Sequence, residues 1–242
     1  HLHAAKVLQK TALSTWDHIR ECLIDFKPIS EYDVQQWMLK QIHRGGCVLK
    51  ALPFCASNAH AANPHYSPSK EKPSFISQGD FILIDLWCKQ DKEKAIYADI
   101  TRLAVAKERP SSFEQEIFST LREAQKVATD FIAENYAKSI PLKGCEVDAV
   151  CRKVVEKRGF GAYFIHRTGH NIYTEDHGPG THLDGFETLD ERFLIPETCF
   201  SIEPGIYIPG KIGARLEYDV YLHKNGSIQI TGGVQEELVS DR

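Results

Sequence analysis

The sequence predicts an α+β fold in which four helices back a curved, mostly antiparallel sheet with internal pseudo-two-fold symmetry. Two observations lead to this fold class. The order of elements in the hydrophobic pattern is helix, helix and β-hairpin, and a similar order then follows again. The acids in the strands repeat as well, because Asp85 and Asp99 are 14 positions apart, as are Glu203 and Glu217. No low-complexity linker separates the halves, so we predict one domain over residues 1–242.

Four helices are predicted from apolar spacing and from helix-start signals. The first extends from the beginning of the chain to about Phe26, and Ser30 is the N-cap of the second, which ends before Gly45. The third begins at Ser111, which forms a capping box with Glu114 and so satisfies two backbone amides. The predicted ranges are 1–26, 30–44, 111–137 and 146–158.

Strand patterns lie between and after these helices. A polar stretch over 57–74 predicts a long loop. The runs FILIDLW (81–87) and AIYADITRLAV (95–105) predict two strands that a charged turn joins. The chain after the fourth helix is predicted as strand and loop, and the strands include FSIEP and RLEYD.

Composition excludes several classes of partner. A net charge of -4 and a pI near 6.3 disfavour electrostatic binding to nucleic acid or to a membrane surface. No apolar run is long enough to span a bilayer, and seven cysteines without CxxC spacing are typical of a reduced compartment. We therefore expect a cytoplasmic protein. Because the chain begins HLH and not with Met, we expect it to be the C-terminal part of a longer protein.

Carboxylates stand in strand patterns that are otherwise apolar. Asp85 and Asp99 lie in FILIDLW and IYADIT, and Glu203 and Glu217 lie in FSIEP and RLEYD. A buried carboxylate without a compensating charge costs several kcal/mol, so each of these acids needs a cation. A local salt bridge would explain any one of them, whereas four acids at a repeated spacing favour a shared metal site.

Histidines offer the nitrogen ligand for such a site. His166, His170 and His177 fall within HRTGHNIYTEDHGP, and His65 lies in the earlier loop. Gly169 beside them allows a close approach of the backbone. One imidazole with four carboxylates is an oxygen-rich ligand set, which suits two divalent ions of the Mn, Co, Fe or Zn type better than a structural zinc.

These motifs resemble those of the pita-bread metallopeptidases (M24), which include methionine aminopeptidases, Xaa-Pro aminopeptidases and prolidases. The matching motifs are D…DITR, H-x-x-G-H, EPGIY and R-x-E, in the order of the family. The resemblance covers essentially the whole chain and implies the pita-bread fold. The segment SIEPGIYIPGKIGARLE is similar to the Xaa-Pro aminopeptidase and prolidase branch in particular.

The resemblance also implies a metal centre with five ligands. The centre would hold two divalent ions, with Mn²⁺ expected first and Co²⁺, Zn²⁺ or Fe²⁺ as alternatives. The ligands that the resemblance assigns are Asp85, Asp99, His170, Glu203 and Glu217.

Catalytic roles follow from the same resemblance. Glu203 would move a proton to the leaving nitrogen. His177 and His65 would contact the carbonyl of the substrate and stabilise the oxyanion. His166 would shape the pocket for the residue after the cut, and Arg215 would orient the last ligand by a charge-assisted hydrogen bond.

The expected activity is hydrolysis of Xaa-Pro bonds near the N-terminus of a peptide, by an exopeptidase of the aminopeptidase P or prolidase type. Methionine aminopeptidase activity is an alternative that EPGIY and the extra histidines disfavour. A non-catalytic pita-bread module that binds peptides or proteins is another, and the five retained ligands disfavour it. The expected partners are a peptide substrate, a second copy in a homodimer and an N-terminal domain before residue 1.

The chain departs from the family pattern close to the expected ligands. Asp85-Leu86-Trp87 stands where the family has D-x-G, and the first hairpin is a few residues longer. Tyr173 replaces a glycine, Gly178 replaces the acid that follows the histidine at 177, and Tyr218 replaces an acid or amide. Trp87 and Tyr173 are bulky, so we expect them to narrow or reshape the substrate pocket.

Overall fold

The computed structural model describes residues 1–63 and 65–240. Within them, the α-helices are α1 (Leu2–Ile24), α2 (Glu31–Arg44), α3 (Ser112–Ala137) and α4 (Gly144–Lys157). Both predicted N-caps are confirmed, because Ser30 accepts a hydrogen bond from the amide of Asp33 and Ser111 accepts one from the amide of Glu114. Helix α4 begins earlier than predicted, since Lys143 takes the N-cap position where a small polar residue is the usual signal.

The strands of the first half form a long hairpin with two short additions. The strands β1 (Cys47–Val48), β2 (Phe54–Ser57), β3 (Phe81–Gln90) and β4 (Ala98–Val105) make an antiparallel sheet in which β3 pairs with the other three. In the register of β3 and β4, Asp85 lies opposite Thr101 and Trp87 lies opposite Asp99. We did not predict β1 and β2, which are too short to show an alternating pattern. A 3-10 helix, Asn58–Ala62, occupies part of the predicted loop.

The second half repeats the antiparallel arrangement. The strands β5 (Asn171–Ile172), β6 (Cys199–Ile202), β9 (Tyr218–Leu222) and β10 (Ile228–Thr231) form a sheet in the order β10-β9-β6-β5. A separate hairpin pairs β7 (Gly205–Ile208) with β8 (Ile212–Arg215). The two halves meet where the amide of Glu217 donates to Thr101 O at 3.2 Å and the amide of Asp99 donates to Asp219 Oδ2 at 3.0 Å.

Two apolar cores lie on either side of the first sheet. Ile82, Ile84 and Leu86 of β3 pack in the core that contains α1 and α2, whereas Phe81 and Leu83 belong to the core that α3 and α4 share. Side chains alternate along a strand, so Asp85 and Asp99 lie on the face of the sheet that is turned toward the core of α3 and α4. The α+β prediction is confirmed, and this inner face positions the site.

Two further predictions can be compared with the structure. None of the helices in the described part of the chain is long and apolar enough to cross a membrane. The seven cysteines are all free thiols, as expected from their irregular spacing.

Candidate metal centre

Three buried side chains from different elements come together where the two halves meet. Asp99 of β4, His170 just before β5 and Glu217 between β8 and β9 each offer a ligand atom, and these atoms lie within 4.8 Å of one another. His170 Nε2 is 3.7 Å from Asp99 Oδ2 and 4.0 Å from Glu217 Oε1. The three residues are only 4%, 3% and 2% exposed, so protein shields the cluster from bulk water.

Glu203 extends the cluster just beyond the end of β6. Its Oε1 lies 3.4 Å from His170 Nε2 and accepts a hydrogen bond from Ser201 Oγ at 3.0 Å. Its Oε2 lies 3.8 Å from Arg215 Nε. The Glu203 side chain is 13% exposed, against 2% for that of Glu217, so it is the more accessible of the two glutamates.

Asp85 of β3 joins the cluster through a hydroxyl and a guanidinium. Thr101 Oγ1 lies 3.0 Å from Asp85 Oδ1 and 2.6 Å from Glu217 Oε2, so one hydroxyl spans the two acids. Arg215 Nη2 donates to Asp85 Oδ2, whereas Arg215 Nε is 3.8 Å from Glu217 Oε2. Arg215 therefore contacts Asp85 more closely than it contacts Glu217, the residue it was expected to orient.

The electrostatics of the cluster fit a bound cation. Among the described residues, the buried oxygens Asp99 Oδ1 and Glu217 Oε1 have no hydrogen-bond partner. Burial, followed by the charge of Glu217, raises the pKa of Asp99 well above its usual range. Burial, followed by the charge of Glu203, does the same to the pKa of Glu217, and burial raises the pKa of Glu203 to about 7. A divalent cation would relieve this repulsion and use the unpartnered oxygens.

Helix α4 holds the HRTGH segment that carries His170. Asp148 accepts hydrogen bonds from the amide of Thr168 at 2.9 Å and from its hydroxyl at 2.7 Å. Arg152 donates to the carbonyl of His166 in the segment and to that of Phe164 just before it, each at 2.8 Å. Gly169 approaches β6 so closely that an added Cβ would lie 1.9 Å from a carbonyl oxygen. The close approach that the sequence predicted for Gly169 is therefore confirmed, and burial lowers the pKa of His170, which keeps it neutral as a ligand must be.

A cavity of about 380 Å³ opens beside Asp85. His166 and Arg215 meet there at Tyr207, whose hydroxyl lies 2.9 Å from His166 Nε2 and accepts from Arg215 Nη1 at 2.9 Å. Burial lowers the pKa of His166 to about 3, so its imidazole is neutral at pH 7. Trp87 lines the same cavity, as expected of a bulky residue close to the first ligand. The remaining wall is mainly apolar and includes Phe54, Ala61, Ala62, Tyr66 and Ile165.

The other two predicted histidines lie in different surroundings. The ring of His177 packs against that of His170, with centroids 4.0 Å apart, and 57% of its side chain is exposed. Burial, followed by the charge of His170, lowers the pKa of His177 to about 3. His65 is exposed on its loop, where its backbone amide donates to Asn63 Oδ1 at 3.0 Å. The structure brings His177 to the cluster, whereas a catalytic role for His65 stays a prediction.

Sequence reasoning assigned no function to four residues that the structure puts in or beside the cluster. Thr101 and Asp219 each lie two positions after an expected ligand, so strand alternation could have indicated them. Tyr207 and Asp176 carry no such signal, because the contacts that bring them to the site are tertiary. Asp219 is fully buried and has an unpartnered Oδ1, and Asp176 also has a buried, unpartnered Oδ1.

Comparison with known proteins identifies the family. The family model for metallopeptidase family M24 matches residues 2–224. The chain belongs to metallopeptidase family M24. This M24 chain is 30% identical over 207 residues to a putative Xaa-Pro aminopeptidase of Mycoplasma pneumoniae, covering 85% of the chain and 54% of the relative. It is 36% identical over 167 residues to an Xaa-Pro dipeptidase of Lactobacillus delbrueckii subsp. lactis, covering 69% and 41%.

Solved structures agree with this assignment. The dipeptidase PepE of Mycobacterium ulcerans superposes on the M24 chain with a TM-score of 0.81 at 27% identity, covering 99% of the chain and 58% of that structure. The pita-bread fold that the resemblance implied is therefore confirmed. The chain spans about half the length of the curated relatives it matches.

Proposed function

We propose that this chain is the catalytic part of a dinuclear metal-dependent exopeptidase that hydrolyses Xaa-Pro bonds near the N-terminus of a peptide. The observation that carries the proposal is the buried cluster of Asp99, His170 and Glu217, with unpartnered oxygens on both acids. The names of the relatives, Xaa-Pro aminopeptidase and Xaa-Pro dipeptidase, support the substrate class and do not favour methionine removal. The division into one domain over 1–242, Mn²⁺ as the ion, a homodimer and a cytoplasmic location stay predictions.

Five side chains would hold the ions, and they are Asp85, Asp99, His170, Glu203 and Glu217. When bound, the two ions would supply the positive charge that lowers the pKa of an attacking water and polarises the scissile carbonyl. Asp99, His170 and Glu217 are almost fully buried, so their orientation is fixed before any substrate arrives.

Glu203 is the best placed of these acids to transfer a proton. It is more accessible than Glu217. Its Oε1 lies 3.0 Å from Ser201 Oγ, and its Oε2 lies 3.8 Å from Arg215 Nε. A carboxylate held in this way would accept a proton from the attacking water and deliver it to the leaving nitrogen. A proline nitrogen carries no hydrogen in the peptide, so its departure depends on such a donor.

The cavity beside Asp85 would receive the residue after the cut. Its wall of aromatic and aliphatic side chains suits a pyrrolidine ring, which buries apolar surface and offers no N–H to satisfy. His166 is neutral and bound to Tyr207, so it would bind the substrate as a hydrogen-bonding group and not as a charge. His177, whose ring packs at a tilt against that of His170 and whose side chain is 57% exposed, would contact the substrate carbonyl.

Metal dependence gives the first test. Protein stripped with a chelator and dialysed should hydrolyse neither an Xaa-Pro dipeptide nor a longer Xaa-Pro peptide. Addition of Mn²⁺, Co²⁺, Zn²⁺ or Fe²⁺ should restore cleavage and raise the thermal midpoint, since saturation at about 1,000 times Kd stabilises a folded protein by about 4 kcal/mol. A Met-Ala peptide is the matched control and should be a poor substrate. Failure to bind any of these ions, together with failure to hydrolyse any of these peptides, would overturn the proposal.

A further inference from the structure

A sixth acid lies at the cluster, on the loop between His170 and His177. Asp176 Oδ1 is buried and has no hydrogen-bond partner among the described residues, and Asp176 Oδ2 is 3.8 Å from His177 Nε2. Asp99 Oδ1 is likewise buried without a hydrogen-bond partner among the described residues, and the charge of Asp176 is one cause of the raised pKa of Asp99. Buried carboxylate oxygens without a donor need a proton or a cation to compensate their charge.

Contacts on both sides of Asp176 fix the loop in this position. Tyr97 N donates to the carbonyl of Tyr173 at 2.9 Å, and Lys89 Nζ donates to that of Thr174 at 2.7 Å. Beyond Asp176, the amide of Gly178 donates to a backbone carbonyl at 2.7 Å. The strands of the first half thus hold the loop against the centre, and Asp176 does not reach it by chance rotation of a free loop.

The neighbouring acid points the other way. Glu175 is exposed and pairs with Lys50 at the surface. The position after His177 has no room for a side chain, because a Cβ on Gly178 would lie 2.3 Å from Asn171 Oδ1. The chain therefore lacks an acid after His177, where the family pattern has one, and carries one immediately before it that faces the centre.

The charge of Asp176 acts on the proposed ligands. After burial and Glu217, Asp176 is the next contribution that raises the pKa of Asp99. Burial lowers the pKa of His170, and Asp176 is the largest charge that opposes this effect. A bound cation would turn this repulsion into attraction, and oxygen ligands suit hard divalent ions.

We propose that Asp176 is a further carboxylate ligand of the metal centre, in addition to the five residues of the family motif. The inference rests on the proposed function, since it assumes that the cluster binds divalent ions. It gives this chain a more oxygen-rich and more negatively charged centre, which favours Mn²⁺.

Metal titration tests the inference without any measurement of activity. Chelator-stripped wild type, Asp176→Asn and Glu175→Gln would be titrated with MnCl₂ by calorimetry, and the absorption spectrum of each Co²⁺-loaded protein would be recorded. We expect Asp176→Asn to raise the Kd of the weaker Mn²⁺ at least about ten-fold and to alter the Co²⁺ spectrum. Glu175→Gln, which removes a charge one residue away, should stay within about two-fold of wild type, because the Glu175 side chain is exposed and pairs with Lys50 at the surface.

Two further measurements separate the outcomes. The metal-free thermal midpoint of Asp176→Asn should not fall below that of wild type, since the change removes repulsion and no packing. A Kd within about two-fold of wild type with an unchanged Co²⁺ spectrum would overturn the inference. A rise in KM for peptides with a free amino end, at unchanged Mn²⁺ affinity, would also overturn it, because Asp176 would then contact the substrate and not the metal. If wild type itself binds no Mn²⁺, Co²⁺, Zn²⁺ or Fe²⁺, the proposed function fails as well, and the wild-type titration alone identifies that case.

Discussion

Replacement of Glu203 by Gln should lower kcat for an Xaa-Pro peptide by about 10²- to 10⁴-fold, which is the usual contribution of a positioned proton-transfer group. The change keeps the length of the side chain and one carbonyl oxygen, so the contact with Ser201 at 3.0 Å can persist. It removes the ability to take up and release a proton at that atom. The loss should therefore fall on kcat, with KM changed little, because the cavity that would bind the substrate is untouched.

The matched control is Glu197→Gln, the same change six residues earlier in the chain. Glu197 is exposed and pairs with Lys224 at 3.0 Å, so this variant should keep the wild-type kcat. Metal content measured on both variants shows whether Glu203→Gln still binds its ions through the other proposed ligands. A Glu203→Gln enzyme with normal metal content and a kcat within about three-fold of wild type would contradict the proton-transfer role.

The sequence predicted those features of the fold that local patterns encode. Ser30 and Ser111 indicated their helix starts because N-capping is a contact between residues three apart. The inner face of β3 followed from alternation around Asp85. The strands β1 and β2 could not be predicted in the same way, because their pairing with β3 depends on partners 25 to 43 residues away along the chain.

The residues of the candidate site also fall into two groups, those that a local sequence pattern indicated and those that only tertiary contacts bring to the site. Asp85, Asp99, Glu203 and Glu217 stood out because a carboxylate in an apolar strand pattern needs compensation, although the structure places Glu203 and Glu217 just outside their strands. Asp176 did not, because it lies in a polar loop where an acid is unremarkable in sequence, and only the tertiary contacts of Tyr173 and Thr174 turn it inward. The same holds for Tyr207, whose hydroxyl contacts Arg215 on the other strand of its own hairpin and His166, which lies 41 residues earlier in the chain.

Arg102 connects the two halves behind the centre without touching a proposed ligand's carboxylate. It is 8% exposed, and it donates through Nη1 to the carbonyls of Thr101 and Glu217 and through Nη2 to those of Gly232 and Gly233. Burial lowers the pKa of Arg102 to about 10, so the guanidinium stays charged at pH 7. It is therefore a buried cation that donates to four backbone carbonyls, and the charges of Glu217 and Asp219 also compensate it.

Replacement of Arg102 by Met should destabilise the metal-free protein by about 3–5 kcal/mol, because Met fills part of the volume but leaves several buried carbonyls unsatisfied. Unfolding in guanidinium chloride, followed by tryptophan fluorescence, measures the change. The control Arg109→Met removes an exposed arginine and should stay within about 0.5 kcal/mol of wild type. Arg102→Lys keeps the charge but offers fewer donors, so its loss should be intermediate. A loss below about 1 kcal/mol for Arg102→Met would mean that other groups or water satisfy these carbonyls, and that the halves are held together by apolar packing instead.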